Sequence, residues 1–224
     1  MDRAALALSA ELAGLTTLIL LGLGLPLALW LARSPRRWKF LVEAVVALPL
    51  VLPPTVLGFY LLVGLGPHSP VGRAYLAVVG EPFPFSFAGL LVASVLYSTP
   101  FAVQPFTAAL AGVDRRLEEA ARTLGASHLG VFLRVTLPLA WPGVLAGAVL
   151  TFAHTLGEFG VVLMVGGNIP GRTRTLSVAI FDHVEALEYE AAHRTAGLLL
   201  LVSFLVLGVV YALQRRSLLR WNAR

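Results

Sequence analysis

The sequence predicts an all-α integral membrane protein with about five transmembrane helices, and three observations carry that prediction. The 224 residues are 58% hydrophobic and 13% charged, with a mean hydropathy of +0.83. A soluble domain of that length has no core large enough to hide so much apolar surface. Apolar runs of about 20 residues, the length that crosses a bilayer, recur along the chain. The basic residues gather beside those runs. Inside lipid the backbone has no water to bond, so each run must be helical.

The runs fall at roughly 12–32, 41–65, 87–110, 139–164 and 196–213, with the fourth interrupted and the others clear. The first is too long for the core of a secretory signal. It ends in Arg33, Arg36, Arg37 and Lys39 rather than a small-residue cleavage site, so it reads as a retained anchor. Pro49, Pro53, Pro54, Pro100 and Pro105 are expected to kink or break the second and third runs. Gly143 and Gly147 form a small-xxx-small pair in the fourth, suited to close helix packing. Segment 66–86, rich in Gly and Pro, reads as irregular. In segment 166–194, Val178, Ile180, Phe181, Val184 and Leu187 recur at near-helical spacing, which predicts a short interfacial or re-entrant helix. No internal repeat or low-complexity linker divides the chain, so residues 1–224 read as one transmembrane domain.

Positive residues favour the cytoplasmic side of a membrane. One group is Arg33, Arg36, Arg37 and Lys39; a second is Arg115, Arg116, Arg122 and Arg134; a third is Arg215, Arg216, Arg220 and Arg224. Together they hold 12 of the 17 Lys and Arg; Arg3, Arg73, Arg172, Arg174 and Arg194 remain for the other side. The N-terminus is therefore expected outside and the C-terminus in the cytoplasm. The net charge of +5 is explained by these flanking residues and does not require nucleic acid. With no cysteine, disulfides and thiolate metal sites are excluded.

The segment from about 113 to 138 is a polar insert between two apolar runs. Asp114 can cap a helix through Leu124, whose acids sit early and whose Ala and Leu residues favour helix. Gly125 is placed to end it in the left-handed conformation. A second helix, about 127–135, would end near Pro138 where the chain re-enters the membrane. Ala120 and Ala121 offer a small surface to a partner, rimmed by Arg115, Glu118, Glu119 and Arg122.

In order, the insert reads Glu119-Ala-Ala-Arg-Thr-Leu-Gly125, nine residues, then Val135-Thr-Leu-Pro138. It resembles the docking loop of ABC importer permeases, E-A-A-x3-G-x9-I-x-L-P, with Val135 in the place of Ile. Ala47-Leu-Pro-Leu-Val-Leu-Pro-Pro54 is similar to a proline-rich segment of molybdate permeases. Leu156-Gly-Glu-Phe-Gly160 and Gly167-Asn-Ile-Pro-Gly171 resemble a segment shared by molybdate and sulfate permeases. Arg172-Thr-Arg-Thr-Leu176 looks closer to the molybdate and tungstate branch, although that branch usually has an acid where Arg172 stands.

The resemblance implies a type I ABC importer permease carrying tetrahedral oxyanions, molybdate or tungstate before sulfate or thiosulfate. It also implies a homodimer, two cytoplasmic ABC ATPase subunits and an external oxyanion-binding protein. The docking residues would be Glu118, Glu119, Ala120, Ala121, Arg122, Leu124 and Gly125. No cofactor is expected on this chain, with ATP-Mg held by the ATPase. A P-loop needs a lysine after glycine, and the only lysine, Lys39, follows Trp38.

Within the runs, Ser98, Thr99, Gln104, Thr151, His154 and Thr155 are candidates for the pathway lining, since neutral donors suit brief contact with an oxyanion. Interhelical hydrogen bonding is the alternative role for each. Glu158, flanked by Gly157 and Gly160, is a candidate gate or structural group: a charge at the bilayer centre costs roughly 2.5–3.5 kcal/mol and must face protein or water. It would repel a dianion, so it is not expected as a direct ligand. His183, Glu185, Glu188, Glu190 and His193 lack metal-ligand spacing, and no catalytic constellation is present. An ion-driven secondary carrier is the runner-up, but five unequal spans without inverted repeats fit it poorly.

Overall fold

Asp2 accepts a hydrogen bond from the Ala5 amide and starts α1 (Arg3–Arg33). The computed structural model describes residues 2–222, with the backbone alone at 209, 210 and 212–222. The tail residues Arg215, Arg216, Arg220 and Arg224 therefore lie outside the described side chains. Helix α1 begins about nine residues before the apolar run, because polar Ser9 is buried in the fold. Its hydroxyl accepts from the Leu176 amide at 2.8 Å.

The second run is not one straight helix. It forms α2 (Lys39–Val51) and α3 (Pro54–Leu65), bent by 112°. Pro53 and Pro54 have no amide proton, and a residue before proline is driven out of the helical region. Leu52 and Pro53 are accordingly extended, with ψ of 135° at both. Segment 66–86, expected to be irregular, contains α4 (Pro70–Val79). Ser69 caps it through the Gly72 amide at 2.8 Å, and Pro70 occupies the first turn, where its missing N–H costs nothing.

Helix α5 (Phe87–Ala111) runs unbroken through Pro100 and Pro105. There follow α6 (Arg115–Thr123), α7 (His128–Val131), a π-helical turn (Phe132–Thr136) and α8 (Leu137–Gly157). The interruption foreseen in the fourth run lies at Glu158 and Phe159, after which α9 (Gly160–Gly166) resumes. The expected short helix is α10 (Leu176–Glu185), capped by Thr175, and α11 (Tyr189–Asn222) closes the fold.

Four helical stretches among the described residues are long and apolar enough to cross a bilayer alone: α1, α5, α7–α8 and α11. Helices α1 and α5 run parallel, because Leu12 clusters with Leu90 near their starts and Leu31 with Leu110 near their ends. The chain must return between them, so the bent α2–α3 pair acts as a fifth crossing. It leaves from the Arg33 end, where Lys39 Nζ donates to the Leu31 carbonyl, and reaches the other end, where Gly58 meets Met164. Helix α8 is antiparallel to α5, with Gly143 beside Ala109 and His154 beside Ser98.

Helices α1, α5 and α8 share one core around Phe106, Val103, Val144, Ala28 and Leu31. The α5–α8 crossing is close because of the predicted glycine pair. A Cβ at Gly143 would lie 2.5 Å from Ala109 Cβ, and one at Gly147 would lie 2.7 Å from the Phe106 ring. Helices α3 and α9 approach equally closely. A Cβ on Gly58 would meet Met164 at 2.6 Å and one on Gly160 would meet Pro54 at 2.7 Å.

Candidate functional site: a polar hairpin at the arginine-rich end

The hairpin α6–α7 is built by its caps. Asp114 Oδ1 accepts from the Arg116 amide at 2.9 Å, opening α6. At the other end the Ala126 amide donates to Ala121 O at 3.1 Å and the Gly125 amide to Arg122 O at 2.9 Å. These are the paired bonds of a Schellman cap, which require a left-handed residue. Gly125 supplies it with φ of 87°. Ser127 then caps α7 through the Gly130 amide at 3.1 Å.

The second helix does not end where the chain re-enters the apolar region; it continues into α8 through the π turn. Pro138 explains the turn. Its ring collides with the carbonyl four residues back in a regular α-helix. Just before it, the Leu137 amide reaches back five residues to Phe132 O, which widens the helix and eases that fit.

The structure separates the sequence-predicted docking residues by burial. Glu119, Ala120, Arg122, Leu124 and Gly125 are exposed, and Ala121 is half-buried. Leu124 is 89% exposed. A cleft of about 370 Å³ between the helices is lined by Ala121, Leu124, Gly125, Ala126, Gly130 and Arg134, with Val131 and Val135 at its floor. Leu117, Leu129 and Leu133 are also exposed around the hairpin. Large uncovered apolar side chains on a polar segment mark an interaction surface. Sequence reasoning missed Leu117, Ala126, Leu129, Gly130 and Arg134. The leucines recurring within a polar, non-spanning stretch were the available signal.

Glu118, read from the sequence as part of the polar rim, is not exposed with the others. It is buried, pairs with Arg33 at the end of α1, and accepts from Thr136 Oγ1 at 2.8 Å.

The intramembrane candidates divide as well. Ser98 Oγ lies 3.0 Å from both His154 Nδ1 and Thr155 Oγ1, joining α5 to α8. The His154 ring stacks on Phe101, 3.7 Å between centroids. Thr99, Thr151 and Thr155 donate within their own helices, to Val95 O, Gly147 O and Thr151 O. Gln104 is exposed and borders a cavity of about 420 Å³ with Leu50, Pro100, Phe101, Pro105 and Leu150.

Glu158 sits in extended conformation between α8 and α9, and its carbonyl accepts from Ser177 Oγ. Its side chain is buried beside Ser94. The Ser94 hydroxyl is close enough to act on the carboxylate, but their geometry falls short of a hydrogen bond, and neither carboxylate oxygen has another partner among the described residues. An unpaired buried carboxylate destabilises a fold. Glu158→Gln is therefore expected to keep or raise the melting temperature of the purified chain. A loss of more than about 1 kcal/mol, the size of one net hydrogen bond, would reveal a bonded partner. At the opposite end from Arg33, loop 167–175 is tied down by Arg174, which bonds Asn168 and pairs with Asp182 at 2.9 Å. Arg172 pairs with Glu81 across the same surface.

Comparison with known proteins places this geometry. Residues 24–221 match the family model described as "Binding-protein-dependent transport system inner membrane component". The chain is 56% identical over 214 residues to the molybdenum transport system permease protein ModB of Azotobacter vinelandii, covering 96% of this chain and 95% of that one. It is 42% identical over 181 residues to the protein of the same name from Escherichia coli (strain K12), covering 81% and 79%. Among solved structures, a bacterial ABC transporter involved in import of the acidic polysaccharide alginate superposes with a TM-score of 0.76 at 18% identity. That match covers 95% of this chain and 78% of the other, and shows a shared fold. The broken spans, the capped hairpin and these likenesses agree: the chain is a multi-pass transport permease and belongs to the family of inner membrane components of binding-protein-dependent transport systems.

Proposed function

We propose that this chain is the membrane-spanning subunit of an ATP-driven importer of tetrahedral oxyanions, molybdate or tungstate ahead of sulfate. The cargo class rests on the 56% identity, over nearly the whole chain, to a permease named for molybdenum transport. The hairpin supplies the coupling element: a rigid, capped pair of short helices with an open cleft and exposed leucines, outside the apolar spans. The arginine-rich end faces the cytoplasm, by the excess of basic residues there. An odd number of crossings then puts the N-terminus outside.

Two copies line one pathway, and each docks a cytoplasmic ATPase through Glu119, Ala120, Ala121, Arg122, Leu124 and Gly125. The chain binds no nucleotide itself; ATP-Mg belongs to the ATPase. Closure of the ATPases moves the two hairpins, and the bundle exchanges inward-facing for outward-facing access. An external binding protein selects the anion and delivers it. Ser98, Thr99, Gln104, Thr151, His154 and Thr155 mark the region of α5 and α8 past which the anion moves. Glu158 occupies the break at which α9 swings relative to α8.

Reconstitution tests this. The purified chain alone is expected to show neither ATP hydrolysis nor uptake. With its ATPase, turnover should rise when the loaded binding protein is added. Ion-gradient-driven uptake by the chain alone would instead establish a secondary carrier.

A further inference from the structure

We propose that Arg33, Glu118 and Thr136 form an internal linkage that carries the hairpin's displacement into the α1–α5–α8 body, so that Glu118 acts as a positioning residue and does not touch the ATPase. This rests on the coupling role proposed above and deepens it.

Three observations meet at one carboxylate. Glu118 belongs to α6, the helix that presents Glu119 and Ala120 to solvent, yet its own side chain is only 8% exposed. One of its oxygens takes both the Arg33 guanidinium, from the last residue of α1, and the Thr136 hydroxyl at 2.8 Å, from the last residue of the π turn that leads into α8. The other faces Arg122 at 3.9 Å, a longer and half-exposed contact of little energetic weight. The carboxylate therefore joins three elements: the end of α1, the middle of α6 and the start of α8.

The remainder of the packing makes that junction consequential. Helix α6 lies against α7 and the π turn, and the Arg33–Glu118 pair is its charged link to α1. Beyond the junction, α1, α5 and α8 are bound through the shared core around Phe106, Leu31, Leu110 and Val144. A displacement of α6 is thus delivered to the ends of two helices of the same body, where packed side chains transmit it without slack. Stability alone is a poor explanation of the arrangement. A buried ion pair contributes little net stability compared with apolar side chains of similar size, whereas its geometry is fixed in direction and length.

The test uses the reconstituted importer with its ATPase and loaded binding protein. Three variants are compared with the parent: Glu118→Gln, which keeps shape and removes charge; Thr136→Val, which removes one hydrogen bond; and the exchange Arg33→Glu with Glu118→Arg. The readouts are ATPase recovered with the purified permease, stimulation of ATP turnover by the loaded binding protein, and oxyanion taken up per ATP. In Glu118→Gln, full ATPase recovery is expected with stimulation and uptake per ATP reduced about tenfold, a usual size for coupling between sites. Thr136→Val should show a smaller loss of the same kind, and the exchange should recover part of it.

Parental stimulation and uptake in Glu118→Gln would overturn the linkage. So would loss of ATPase recovery, which would make Glu118 a contact, or failure of that variant to fold, which would make it a folding element. A parallel Gly125→Val sample separates the two readings: if it recovers and couples normally, the docking assignment falls, whatever Glu118 does.

Discussion

Gly125→Val in the assembled importer is expected to reduce binding-protein-stimulated ATP turnover and uptake roughly thirtyfold while the permease itself still folds. The cause is backbone conformation. A Cβ at Gly125 meets nothing within 4 Å, so no neighbour is displaced. The residue stands at φ of 87°, where a β-branched side chain is a genuine outlier and an ordinary one costs about 1–2 kcal/mol. If the chain abandons that conformation, it loses the bonds from Gly125 N to Arg122 O and from Ala126 N to Ala121 O, about 1 kcal/mol each. Either route raises the free energy of the docking geometry by about 2 kcal/mol, or roughly thirtyfold. Gly125→Asn is the control: asparagine tolerates the left-handed region and should retain most of the activity. Equal loss in both variants would point to side-chain volume.

Gly147→Leu is expected to remove the folded permease from the membrane fraction. A Cβ there would lie 2.7 and 2.9 Å from two Phe106 ring atoms and 3.1 Å from Pro105 Cβ. Phe106 is fully buried at the centre of the α1–α5–α8 core and has nowhere to turn. Overpacking of this kind costs about 1–3 kcal/mol or more, a large share of a marginal stability. Gly143→Ala should be milder, because its neighbour is the single methyl of Ala109 at 2.5 Å. Combining it with Ala109→Gly should restore the melting temperature of the purified chain. Normal stability of Gly147→Leu would show that α5 and α8 do not cross as described.

What the sequence disclosed and what it withheld have physical causes. Apolar runs report crossings faithfully, since lipid offers the backbone no alternative partner. The hairpin was legible because caps are local: Asp114, Gly125 and Ser127 act on amides and carbonyls a few residues away. The glycine pair of α8 was legible for the same reason, since its spacing alone aligns it on one face.

The 112° bend of α2–α3 was legible in Pro53 and Pro54, which were expected to kink or break the second run, although composition did not give its angle. The same reasoning expected a kink or break at Pro100 and Pro105, and α5 does not break at either, because surrounding helices support a proline that a lone helix would not. Helix α4 was hidden because Pro70 was counted as a breaker when it stood in the first turn, where its missing N–H costs nothing. The burial of Glu118 was beyond reach: its partner Arg33 is 85 residues distant in sequence, and nothing local distinguishes Glu118 from exposed Glu119.

The central claim is that the hairpin lies on the inner face and is covered by an ATPase. The chain has no cysteine, so Ala120→Cys introduces a single thiol at an exposed position on α6. The decisive measurement is the reactivity of that thiol in intact cells and its crosslinking in the assembled complex. We expect no labelling by a membrane-impermeant maleimide added outside, and a crosslink to the ATPase subunit that weakens or strengthens with ATP. Labelling from the external medium, or an assembled complex that never crosslinks at this position, would contradict the account.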